Sequence, residues 1–103
     1  MIIIKSINKI PVRLTNERWL HIIRRHPEME HQKEKVLETL ESPQLVLEGD
    51  FNCLQAIRFY SVTPLAKKYL VVIYKEIPDN DGFILTAYFT NKPSEKRSVV
   101  WKQ

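Results

Sequence analysis

The hydrophobic pattern changes period twice along the chain. "MIIIK" opens with a β-branched run, and "KIPVRLT" alternates Ile10, Val12 and Leu14 with polar neighbours. Both read as strands. Pro11 cannot donate to a ladder, so the second strand belongs at an edge or in an irregular stretch. From residue 16 the period becomes helical. At ~100° per residue, Trp19, Leu20, Ile22 and Ile23 form one apolar arc, with Glu17, Arg18, His21, Arg24 and Arg25 opposite. Thr15 or Asn16 is the N-cap, and Pro27 stops the helix near His26. A second helix is expected from about Met29 to Leu40, with Val36, Leu37 and Leu40 as its core stripe and Pro43 as its stop.

The rest reads as β. "QLVLEG", "CLQAIRFYS", "KKYLVVIYKEI" and "GFILTAYFT" are strands, "PDNDG" is a turn, and "RSVVWK" is a short last strand. The central "YLVVIY" is apolar on both faces, as a central strand is. The expected fold is α+β in one domain, residues 1–103. Two N-terminal helices pack on a four-stranded or larger antiparallel sheet, in the order β-β-α-α and then β-β-β-β.

Composition removes several classes of function. Two glycines exclude a glycine-rich phosphate loop, and one cysteine excludes a disulfide framework or a thiolate cage. The longest strongly apolar stretch is far shorter than the ~20 residues of a membrane span. The N-terminal run lacks a small-residue cleavage site and reads as a strand. A reducing, cytoplasmic setting agrees with the lone Cys53. The net charge of +4 lies entirely in the second half: residues 1–50 carry eight Lys/Arg and eight Asp/Glu, residues 51–103 eight and four. A polyanionic partner is compatible with that balance.

Candidate chemistry gathers in "HIIRRHPEM". His21 and Arg25 stand i,i+4 on one helix face, with Arg18 and Arg24 close by. His26 falls in the apolar arc, where it reads either as a helix-end histidine capping carbonyls or as an imidazole aimed into the body of the protein, toward a sheet-borne hydroxyl. His21 and His26 are five apart, off the i,i+4 spacing that clamps zinc on a helix, so neither a metal nor another cofactor is expected. On "GFILTAYFT", alternation puts Phe83, Leu85, Ala87 and Phe89 toward the helices and Ile84, Thr86, Tyr88 and Thr90 on the other face. Arg58 with Tyr60, Tyr74, Arg97, Ser98, Trp101 and Lys102 are candidates to extend a polar, RNA-binding surface. Without metal, these residue types suit RNA cleavage by 2′-hydroxyl attack. Histidine serves both proton transfers, arginine the phosphate oxygens, and threonine or tyrosine the orientation of either.

"LTNERWLHIIRRHPEM", then "VLETLESPQLVLEG", then "YLVVIYKEIPDNDGFILTAYFT" resemble, in that order, the phage-type nucleases grouped with barnase, EndoU, colicin D and RelE. The similarity covers roughly residues 12–102. It implies a metal-independent endoribonuclease, often a toxin held by a protein antitoxin. Carried over by position, His21 and His26 match the motif's histidines, Arg25 the basic residue before "HPE", Thr86 and Tyr88 the "TAY" strand, and Lys75 the lysine ending the strand before it. The reading makes His21 or His26 the acid or base. Arg25 holds the phosphate with Arg24 or Arg58, Thr86 and Tyr88 orient it, and C-terminal basic residues such as Lys102 bind the RNA backbone. The facing argument disagrees in part with the motif: a histidine at the helix end reaches Thr86 more readily than His21 does. A non-catalytic RNA- or protein-binding module on the same scaffold is the alternative. The oligomeric state and the RNA target are not legible.

Overall fold

The computed structural model describes residues 1–77 and 81–103. The turn expected at "PDNDG" therefore lies largely outside the described residues. β1 (Ile2–Lys5) and β2 (Pro11–Leu14) form an antiparallel hairpin. α1 (Asn16–Arg25) follows at once, and its first turn is capped by Thr15, whose Oγ1 accepts the Arg18 N–H at 3.0 Å. It ends where Pro27 requires, with the His26 N–H donating to Ile22 O at 2.8 Å.

The second helix begins at Lys33, not Met29. Pro27–Met29 instead forms a single 3-10 turn, with the Met29 N–H donating to His26 O at 2.9 Å. Met29 is fully buried and anchors that turn, so its apolar signal belongs to the core without belonging to a helix. α2 is Lys33–Glu41.

Five strands complete the chain: β3 (Leu45–Glu48), β4 (Leu54–Phe59), β5 (Tyr69–Ile77), β6 (Asp81–Thr90) and β7 (Val99–Lys102). All seven strands join one sheet in the order β1-β2-β6-β5-β4-β3-β7. The fold is α+β, but the sheet, expected to be antiparallel with four strands or more, is a seven-stranded mixed one. β2 pairs with β6 in parallel, at Arg13 and Phe83. The last strand leaves the meander for a physical reason. The outer edge of β6 is already taken by β2 and by α1, whose Arg18 Nη1 donates to Leu85 O at 3.4 Å. β7 pairs instead along the free edge of β3.

α2 packs on β4 and β5 and also touches β1, so the sheet curls around it. Between helices and sheet lies the main core, which includes Val12, Leu14, Trp19, Ile22, Met29, Val36, Leu40, Leu70, Val72, Tyr74, Ile84, Ala87 and Phe89. Leu20, expected in the apolar arc of α1, is 54% exposed. Gly82 sits where β2 crosses β6. A Cβ there would stand 2.7 Å from Lys75 O and 3.2 Å from a Val12 methyl, so only glycine allows the approach.

The opposite face carries a second, smaller cluster of Leu47, Ile57 and Val71, flanked by Leu45, Tyr69, Ile73 and Tyr88. The strand pairings make β6 and β7 run in the same direction. The connection over residues 91–98 must therefore return across this face, because parallel strands need a crossover. Among the described residues, no helix is long and apolar enough to cross a membrane.

Candidate functional site

A β-bulge decides what β6 presents to each side. The register with β5 shifts between Ile73 and Tyr74: Ile73 faces Thr86, Tyr74 faces Ile84, and Leu85 is the extra residue. Ile84, Ala87 and Phe89 enter the main core. Leu85, Thr86 and Tyr88 line a recess on the other face. Strict alternation thus gave Thr86, Tyr88, Ala87 and Phe89 their correct sides, but not Ile84 and Leu85. Those two are exchanged, and Phe83, expected toward the helices, alternates away from the core residue Ile84, because one added residue reverses the phase.

The recess has a volume of about 360 Å³. Ile73, Leu85, Thr86 and Tyr88 come from the central strands, Gln55 and Cys53 from β4 and its approach, Asp50 and Phe51 from the β3–β4 turn, and Arg97 from the returning connection. Arg97 is held there by Asp50. Nη1 and Nη2 donate to the two carboxylate oxygens at 3.2 Å each, and Nη1 also reaches Glu48 O at 3.4 Å. The guanidinium keeps the Asp50 carboxyl below its ordinary range, and the carboxylate raises Arg97 in return. Burial pushes the Tyr88 phenol up, against a smaller opposing effect of Arg97, so at neutral pH Tyr88 is a hydrogen-bond donor.

His26 stands on the far side of Tyr88. The two rings are 5.8 Å apart between centroids and tilted by 32°. The helix end brings it there: residue 26 leaves α space at the end of α1, and α1 runs beside β6. Glu28 places Oε1 3.7 Å from His26 Nδ1, an ion pair when the imidazole is doubly protonated. With Nδ1 on the Glu28 side, Nε2 of the neutral ring is the nitrogen left for other chemistry.

His21 is elsewhere. It is exposed on the outer side of α1 and shares a shallow hollow of about 340 Å³ with Thr15, Glu17, Arg18 and Arg24. Among the described residues no hydrogen bond joins Thr86 to either imidazole. Arg24 and Arg25 occupy the last turn of α1, where cations complement the helix dipole. The chain has six arginines. Arg13, Arg58 and Arg97 each pair with a carboxylate: Asp81 at 3.2 Å, Glu38 at 3.7 Å and Asp50 at 3.2 Å. Arg18, Arg24 and Arg25, all on α1 and all exposed, have no carboxylate partner among the described residues.

The remaining candidates scatter. Arg58 lies on the helix-covered side, donating to Ser42 O at 2.7 Å at the end of α2 and lying 5.9 Å over the Tyr60 ring. That is a helix-capping role. Tyr74 is fully buried in the main core. Lys75 pairs with Phe83 near the far end of β5, and Lys102 lies across from Leu45 on the edge strand β7. Trp101 borders a different hollow with Ser6 and Pro43. The single basic-aromatic surface expected from sequence is therefore split between both faces and both edges. Pattern reading passed over Asp50, Phe51 and Gln55. A signal existed for Gln55: it is the polar member of the alternating set Cys53, Gln55, Ile57 and Phe59.

No protein-family model, no curated protein and no solved structure matches the chain.

Proposed function

We propose that the chain is a metal-independent endoribonuclease of the phage-type group it resembles, acting as an RNA-directed toxin with a protein antitoxin as its natural restraint. The observation that carries this reading is the pairing of His26 with Tyr88 at the rim of a recess, directly after two arginines without carboxylate partners. A proton acceptor, a protonated phenol and unneutralised guanidinium groups are the parts that 2′-hydroxyl attack needs.

His26 Nε2 takes the proton of the 2′-hydroxyl. The 2′ oxygen bonds to phosphorus, the bond to the 5′ oxygen breaks, and that oxygen leaves with the Tyr88 phenolic proton; His26 then gives its proton to solvent and Tyr88 regains one from it. Arg25, with Arg24 beside it, faces the phosphate oxygens, and Thr86 supplies a hydroxyl on the Tyr88 side. His21, Arg18 and Arg24 hold backbone phosphates along the outer face of α1. This differs from an RNA track in the C-terminal half, because Arg58 and Arg97 are occupied by carboxylates.

The α1 arginines equally favour an RNA-binding module without turnover, and the same test separates the two. Purified protein is incubated with RNA in EDTA. Products ending in 2′,3′-cyclic phosphate are expected, together with growth arrest on expression in bacteria. RNA retention without products would leave the binding module and end the nuclease reading.

A further inference from the structure

We propose that the recess between the β3–β4 turn and β6 binds one nucleobase of a single-stranded RNA, with Phe51 and Tyr88 as stacking walls and Gln55 as the group that reads the base edge. This rests on the nuclease reading only for the polymer to which the base belongs.

Three features of the recess point to that ligand. The first is Phe51. It is 91% exposed, the most exposed of the large apolar side chains, and it sits at the recess lip. Phe51 and Asn52 are consecutive residues at φ 54° and 64°, within a tight turn closed by the Cys53 N–H donating to Asp50 O at 3.0 Å. Two successive left-handed residues are ordinarily Asn-Gly. A bulky aromatic there bears conformational strain and gains no burial in return. What the turn achieves is an aromatic face held open in water beside a recess.

The second is Gln55. The residue as a whole is only 7% exposed, and its amide makes no hydrogen bond to the described residues yet is not sealed in the interior, so it stays open to the recess. It borders the recess, where a base edge offers a donor and an acceptor side by side, the arrangement an amide matches. The Thr86 hydroxyl lines the same space, likewise without a hydrogen-bond partner among the described residues.

The third is charge. The one cation at the recess, Arg97, is neutralised through both terminal nitrogens by Asp50. The space does not draw an anion, whereas the unpaired arginines of α1 do. Backbone phosphate and base thus have separate places, on either side of His26 and Tyr88. Sequence-selective recognition of RNA works on bases splayed out of the strand and stacked on aromatic side chains.

The test is an NMR titration of the 15N-labelled full chain with the four nucleoside 5′-monophosphates, with inorganic phosphate as control. Expected are shifts at the Gln55 side-chain amide and at residues 50–55 and 86–88, unequal among the four bases and absent with phosphate. Phe51→Ala is exposed and safe for folding. It weakens binding about tenfold, as loss of one stacking partner does. Gln55→Leu, similar in volume, keeps binding but levels the four bases. Shifts confined to α1, identical shifts with phosphate, or no shifts overturn the proposal. Cleavage of random-sequence RNA separates the two readings. Cleavage whose base preference is unchanged in Gln55→Leu sinks the recess alone. Recess binding without cleavage sinks the nuclease alone.

Discussion

The two faces of the sheet are built to different rules. On the helix-covered face, apolar side chains from β2, β4, β5 and β6 meet α1 and α2 in one buried core. On the other, only Leu47, Ile57 and Val71 are fully covered, and the rest of the surface mixes aromatic rings, an amide, hydroxyls and an ion pair around open space. The same strands serve both. The difference lies in what covers them: two amphipathic helices on one side, and a single returning segment on the other. The lesson is that a fold this small seals one face with helices and leaves the other partly open, and the bulge at Leu85 lets Ile84 and Ala87 both enter the core while Leu85, Thr86 and Tyr88 share the open face.

That division can be broken experimentally. Ile22→Ala, on the covered face, is expected to cost about 2–5 kcal/mol in denaturant unfolding, while Thr86→Val costs under about 1 kcal/mol. Equal costs would mean that the recess is core. Gly82→Ala, at the crossing of β2 and β6, should cost about 1–3 kcal/mol through overpacking against backbone. Tyr74→Phe should raise stability by about 1 kcal/mol, because the Tyr74 hydroxyl is buried without a partner.

Alkaline titration sharpens the same point. Burial, and then the bond to Glu38 at 2.6 Å, raise Tyr60 from 10.0 to about 12, and burial raises Tyr74 as well. The folded chain holds these protons more tightly than the unfolded chain. Stability is whole below pH 10 and falls as pH climbs toward 12. Tyr60→Phe should flatten that decline. The smallest effect on stability is expected from Arg24→Ala and Arg25→Ala. Each should leave the unfolding midpoint in place and lower the salt dependence of RNA binding by about one unit of slope.

Local signals in the sequence were strong wherever one residue determines the backbone. Thr15 and Pro27 set both ends of α1, and every strand from β3 to β7 follows its apolar run. Pairing was harder to read. The parallel contact of β2 with β6 rests on one residue pair, and the migration of β7 depends on α1 occupying an edge. Neither leaves a periodic trace. That the helix-end His26 comes close to the Thr86–Tyr88 strand was legible, because α1 must stop before Pro27. The bulge at Leu85 was not, because an inserted residue looks like any other member of the strand. Arg58 and Arg97 look alike in sequence to the arginines of α1. Only folding brings them to Glu38 and Asp50.

If the chain cleaves RNA as proposed, one pair of variants tells directly which of His21 and His26 carries the reaction. Rates of RNA cleavage in EDTA are compared for His26→Ala and His21→Ala, both checked for unchanged unfolding midpoints. His26→Ala is expected to lose about 10²–10⁴-fold, with His21→Ala near the wild-type rate in low salt. Loss of activity in His21→Ala with His26→Ala unaffected would contradict the site described here.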